Sequence, residues 1–402
     1  MGSISEGVHA VRQAMQAAPP YAVAEALRDT VTLHFAVERV EVLLADPALV
    51  TLRPVLEEYA PGVRGLAIDG TPAGRAFASQ TPQREGCLLH LPVSACGERV
   101  GVLSLSFGTS PGTEVVEDLQ EIATALGHMM CDAYRTTDRY HRVRRAARLT
   151  LAAEMQWALL PGVGHQGDGY HLAGQLEPAY AVYGDNFDWS CGPRGLILSV
   201  TDGMGAGVEA AMLTTLTITA LRNARRSGAG LEEQAGLADE AIYSQYGGHL
   251  HVSTLLMSFD AETGEVALVD AGSPRLLLMR GSQVRHIELE QQLPLGMFGN
   301  TAYTEQHLRL EPGDRLIVAS DGVYSSRSQG GTEFGGSSLE SLIKSTRMQP
   351  ADEAVRTMIR GLLDFRRGME VLDDAVVVCL DWTPDPKPGP KPSGPHPGRE
   401  RP

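Results

Sequence analysis

Gly195-Leu-Ile-Leu-Ser-Val-Thr-Asp-Gly-Met-Gly-Ala-Gly207 starts as an apolar run and ends in glycines. Residues 196–200 read as a buried strand. Asp202-Gly203 breaks that strand, Gly205 and Gly207 follow, and Ala210, Ala211, Leu213, Leu216, Ile218 and Leu221 then recur with helical spacing. A carboxylate therefore stands where a strand stops and a helix begins. Glycines there let the backbone turn sharply and leave a carbonyl open to a ligand. Standing alone, Asp202 reads as a turn residue or a helix cap. The chain repeats the device, however. Asp321-Gly322 ends the apolar run 315–320, Asp185 follows Tyr183-Gly184, and Asp373-Asp374 opens the apolar run 375–380.

With 402 residues, 43% of them hydrophobic, the chain is long enough for two ordinary domains with sizeable cores. Its formal net charge of −15 argues against a nucleic-acid partner, whose phosphates it would repel. A basic patch exists only weakly, at Arg142, Arg144, Arg145 and Arg148. The 5 cysteines are odd in number and lack zinc or redox spacing, so reduced thiols and a cytoplasmic location are expected. No run reaches the roughly 18 apolar residues of a membrane span, and no signal peptide is evident.

Residues 1–135 read as an α/β domain: helix, strand near 40–44, a turn and short helix over 70–82, and strands at 88–93 and 100–107. The order, the Gly70-Thr-Pro-Ala-Gly-Arg-Ala-Phe stretch and the Gly101-Val-Leu-Ser-Leu strand resemble a GAF domain, a sensor fold whose members commonly hold a small-molecule ligand. Val115, Leu119, Ile122, Leu126, Met129 and Ala133 alternate steps of four and three. That seam serves either the domain's own core or, as the sharper expectation, a homodimer. Residues 136–162 are expected to continue as a long linker helix that stops at Pro161-Gly162.

Residues 163–382 alternate strands and helices, with short turns between consecutive strands and helices in two pairs. The pattern suits an αββα β-sandwich, an α+β architecture, better than a doubly wound sheet. Here a family is recognisable. Ala153…Gln156…Pro161, Pro178…Gly184-Asp185…Asp188, Thr201-Asp-Gly-Met-Gly-Ala-Gly207, Thr254, Asp270-Ala-Gly-Ser-Pro274, Pro294-Leu-Gly296, Glu311-Pro-Gly-Asp314, Ser320-Asp-Gly322 and Asp373-Asp-Ala375 occur in that order. The set is similar to the SpoIIE/RsbU-like branch of the type 2C Ser/Thr protein phosphatases.

That resemblance implies a two-metal mechanism on phosphoserine or phosphothreonine, with metal-bound hydroxide as nucleophile and two Mn²⁺ or Mg²⁺ ions. It implies that Asp202 bridges both ions, that Asp185 and the Gly203 carbonyl hold one, and that Asp321 with Asp373 or Asp374 holds the other. Asp185, Asp202 and Asp321 are accordingly the expected catalytic residues. Hard cations prefer such an all-oxygen set, which carries no His or Cys to suit zinc. The implied partner is a phosphorylated anti-sigma-factor antagonist of the STAS type. Departures from the family pattern fall at Tyr183, Asn186, residues 205–207, Ser273 and residues 323–325; none removes a carboxylate. A non-catalytic docking module of the same fold and a metabolite phosphatase are the rival readings. Residues 383–402 form a Pro-rich tail expected to be disordered.

Overall fold

The computed structural model describes residues 3–56, 65–145, 147–177, 183–272, 274–328, 330–366, 369 and 373–384. The N-terminal part runs α1 (Ser3–Ala17), α2 (Val23–His34), β1 (Val37–Ala45), β2 (Thr51–Pro54), β3 (Leu66–Ala67), α3 (Pro72–Ser79), β4 (Gln83–Glu85), β5 (Leu88–Ala95), β6 (Glu98–Phe107) and α4 (Thr113–Ala133). Its strands form one sheet in the order β3-β2-β1-β6-β5-β4. β1 and β6 are apolar on both faces because helices cover both. Leu44, Leu91 and Leu103 meet Leu27 of α2 and Leu119 of α4 on one side. Leu43 and Val102 meet Phe77 of α3 on the other.

The structure bears on two expectations here. The seam on α4 is internal. Leu119, Ile122 and Leu126 are fully buried within the single chain, and Val116, Ala123 and Met130 share that face, while Val115 and Met129 lie at its edge. The seam thus serves the domain's own core, the first of its two readings. The linker is not one long helix. After α4 come α5 (Asp138–Arg144) and α6 (Leu151–Leu159), started by Thr137 and Thr150, whose hydroxyls accept from the amides of Arg139 and Ala153. Such caps favour a fresh helix start over a continuous one.

The second part begins with β7 (Gly164–Gly167), β8 (Tyr170–Glu177), β9 (Asn186–Gly192) and β10 (Gly195–Gly203). α7 (Gly207–Arg226) and α8 (Leu231–Tyr246) lead to β11 (Val252–Asp260), β12 (Glu265–Ala271), β13 (Arg275–Arg280), β14 (Gln283–Ile287), β15 (Gln306–Arg309) and β16 (Arg315–Ala319). The short α9 (Asp321–Tyr324), then α10 (Ser337–Ser345), α11 (Ala351–Arg366) and β17 (Ala375–Trp382), complete it. Two sheets result, β15-β12-β11-β10-β9 and β14-β13-β16-β17-β8-β7. Period-two alternation sorts their side chains. Leu198, Val200, Leu255, Leu276, Leu278, Val318 and Val378 fill the space between the sheets. Leu277, Ile317, Val377 and Cys379 turn outward beneath α10 and α11, and Leu256 and Val269 beneath α7 and α8. The expected αββα sandwich is what forms.

The two parts touch. Arg99 of β6 pairs with Asp352 and Glu353 at the start of α11. Arg356 donates to the carbonyl of Leu49 and to Asp69, and the Gln166 amide donates to the carbonyl of Cys96. Of the Pro-rich tail, Thr383 donates its amide to the Gly169 carbonyl at 2.7 Å, and residues 385–402 lie outside the described residues.

Candidate active site

Antiparallel pairing collects the aspartates. β9 runs against β10, so the segment entering β9 meets the end of β10 and brings Asp185 beside Asp202. β16 runs against β17, so Asp321, just past β16, meets Asp373 and Asp374, just ahead of β17. Asp374 then joins the two sheets. One of its oxygens accepts from the amides of Tyr183, Gly184 and Asp185, the last two at 2.8 and 3.3 Å.

Glycine is required at two of these contacts. Gly184, at φ +146°, presses on Gly203 so closely that a Cβ would fall 2.2 Å from the Gly203 carbonyl oxygen. A Cβ on Gly322 would fall 1.6 Å from the Asp374 carbonyl oxygen. Around them the backbone is tied down. Thr214 of α7 donates to the Gly184 carbonyl at 2.7 Å, and Asn186 donates to the side chain of Gln156 at 2.6 Å, fixing α6 against β9.

The electrostatics are those of crowded acids. Burial pushes Asp202 up to about 7, helped by Asp321 and Asp373. Burial, and then the charges of Asp202 and Asp374, hold Asp185 well above the ordinary carboxylate range. Burial pushes Asp374 up to about 7 against the pull of its three amides, and Asp373 is raised by burial and by Asp321. Among the described residues, one oxygen each of Asp185, Asp321 and Asp374 is buried with no hydrogen-bond partner. A buried anionic oxygen without a partner is costly.

These residues suit hard divalent ions: every side-chain donor is a carboxylate, a backbone carbonyl stands beside them, and unpartnered oxygens wait at the centre. As placed, the acids line the site without closing on a point; among the described residues no group of three His, Cys, Asp or Glu side chains forms a ready metal cage.

Other parts of the sequence pattern serve the frame. Asp188 pairs with Arg222 and Arg225 of α7. Asp314 pairs with Arg280, and the Gly296 amide donates to Asp239. Pro178 and Ser273 lie outside the described residues. Sequence reasoning passed over Arg366. This last residue of α11, 7% exposed, donates to the Gly322 carbonyl at 2.7 Å and to the Ser326 hydroxyl, and its charge lies near Glu177, Asp373 and Asp374. No motif marks it; its helix was legible, its reach across to the Asp-Gly turn was not.

Comparison with known proteins agrees with this geometry. Residues 192–383 match the family model of stage II sporulation protein E (SpoIIE). Phosphoserine phosphatase RsbU of Bacillus subtilis (strain 168) is 20% identical over 260 residues, which cover 64% of this chain and 77% of RsbU. Stage II sporulation protein E of the same organism is 28% identical over 146 residues, 36% of this chain but 17% of that longer protein. Among solved structures, the SiaA-PP2C domain of Pseudomonas aeruginosa is 20% identical and covers 57% of this chain and 94% of that one, with a TM-score of 0.49. The matched segment is thus similar to the SpoIIE family, and Asp202, Asp321, Asp373 and Asp374 of the acid cluster lie within it.

Proposed function

We propose that this chain removes phosphate from phosphoserine or phosphothreonine of a regulatory protein, using two Mn²⁺ or Mg²⁺ ions at the aspartate cluster. The supporting observation is the convergence of Asp185, Asp202, Asp321 and Asp373 from four strand ends, with unpartnered buried oxygens among them. Asp185, Asp202 and the Gly203 carbonyl would hold one ion; Asp202, Asp321 and Asp373 would hold the other. When bound, such ions neutralise phosphoryl oxygens and lower the pKa of water. The protein's own part is to hold these oxygens in place. Asp374 is the better choice for a positioning residue than for a ligand, because three amides already occupy one of its oxygens. Among the described residues Asp373 makes only a local bond, to the amide of Asp374, and is freer to turn toward an ion.

The substrate we favour is the phosphorylated STAS-type antagonist of an anti-sigma factor, in keeping with the relation to RsbU. The N-terminal α/β domain would act as a GAF-like sensor of a small molecule. Turnover of a phosphoserine protein should require Mn²⁺ or Mg²⁺ and vanish with EDTA. Asp202→Ala should lose both turnover and calorimetric Mn²⁺ binding; Mn²⁺ affinity unchanged in that variant would refute the two-ion reading. A docking module that never turns over is the alternative. It would bind its partner equally well with and without the aspartates.

A further inference from the structure

Near the acid cluster sits an arginine that, among the described residues, no acid holds. Arg275 opens β13 and stands opposite Ala319, whose strand leads directly into Ser320 and Asp321. Its guanidinium lies on the face of Tyr324, 4.0 Å from the ring centroid. Tyr324 follows Asp321 by three residues in α9, so the two side chains share a side of that turn. Burial raises the Tyr324 phenol, and the charges of Asp321, Asp202 and Asp185 on one side and Arg275 on the other act on it as well. Gly335 closes the arrangement: its carbonyl accepts from Arg275 at 3.4 Å, and a Cβ there would fall 2.5 Å from the Tyr324 carbonyl oxygen and 2.9 Å from Arg275 Nη1.

Among the described residues no carboxylate pairs with Arg275, in a chain with 49 acidic and 34 basic residues. Arg280, Arg315 and Arg356 of the same domain are all paired to aspartates. Arg275 is instead shelved on an aromatic ring, which orients a guanidinium without neutralising it. Most of its fork of N–H donors is left for an anion arriving at the acid cluster, and that geometry matches two oxygens of a phosphoryl group.

We propose that Arg275, held by Tyr324 and Gly335, grips the phosphoryl group of the substrate. The proposal rests on the phosphatase reading above and names a residue that its acid cluster does not include. The test is calorimetric binding of inorganic phosphate to the full-length, Mn²⁺-loaded protein, beside steady-state turnover of a phosphoserine peptide. Arg275→Ala should leave Mn²⁺ affinity unchanged, weaken phosphate binding about tenfold or more, as expected for loss of a charged hydrogen bond, and raise KM in step. Arg275→Lys keeps the charge without the fork and should recover only part of the loss. Tyr324→Leu should shift phosphate affinity the same way. A folded Arg275→Ala, or Arg275→Lys should the alanine variant not fold, that binds phosphate like the wild type overturns the clamp and leaves the phosphatase reading standing if wild type turns over. A wild type that neither turns over nor binds phosphate overturns both.

Discussion

Asp373 and Asp374 are neighbours in sequence with opposite duties. Asp374 is fully buried and caps the Tyr183–Asp185 amides; Asp373 is half-buried and faces Asp321. Replacing Asp374 by Ala should leave buried amides without an acceptor, at a cost on the order of 3 kcal/mol or more, seen as a lower urea midpoint even with Mn²⁺ present. Asp374→Asn keeps an acceptor oxygen and should recover most of that stability. Asp373→Ala should instead spare the urea midpoint of the metal-free protein and weaken Mn²⁺ binding. Equal behaviour of the two alanine variants would contradict the division. The sequence showed that one of the pair mattered and could not say which, because the distinction lies in a contact between Gly184 and Asp374, 190 residues apart.

The same acids set a pH dependence. Asp202 and Asp374 sit at about 7 in the folded protein against an ordinary 3.8, and burial likewise pushes Glu177 up to about 7. The folded state therefore holds protons that the unfolded chain releases, so this stabilisation is full below about 3.8 and is lost as pH rises through about 7. EDTA-treated protein should melt at a lower temperature at pH 8 than at pH 6. Saturating Mn²⁺ should remove or reverse that trend, since ion binding displaces the protons. A metal-free melting temperature that climbs from pH 6 to pH 8 would sink this account.

Among the elements, α11 reaches furthest. Its start is gripped by Arg99, and its last residue, Arg366, holds the Gly322 carbonyl behind Asp321. Arg366→Gln should keep the helix but lose part of this fork. We expect weaker Mn²⁺ binding by calorimetry, a lowered kcat, and better recovery with Arg366→Lys than with Gln if charge near Asp373 is what counts. The long apolar or amphipathic elements were readable: β10, β11, β12, β16, β17 and the helices α7, α8 and α11 fall where periodicity put them. The misses have two causes. β14 and β15 are edge strands with polar, exposed residues and no clean apolar alternation, whereas β9, an edge strand, does alternate Phe187, Trp189 and Cys191 with polar residues and was passed over. The α4 seam had two readings because a helical stripe states that something covers it, not what; the linker, expected as one helix, is two.

At the scale of the molecule, the covering surface for α11 is partly supplied by the N-terminal domain. Arg99 is 6% exposed and Arg356 is 7% exposed, and their partners lie on opposite sides of the boundary: Asp352 and Glu353 for the first, Asp69 and the Leu49 carbonyl for the second. Removing one partner of a buried pair typically costs about 3–5 kcal/mol, because the other is left buried and uncompensated. Arg99→Ala should therefore destabilise the full chain by that order, while Arg99→Ala combined with Asp352→Asn and Glu353→Gln should recover much of the loss. A fragment beginning at Leu149 retains every aspartate of the cluster but exposes Arg356 and strands Asp352 and Glu353. It should still bind Mn²⁺, with α11 exchanging its amide hydrogens faster at the Asp352–Arg356 end than in the full chain. If instead α11 exchanges identically in fragment and full chain, the boundary is a passive contact. If protection is lost along the whole helix, down to Arg366, and Mn²⁺ affinity falls with it, docking of the N-terminal domain reaches the acid cluster through this one element.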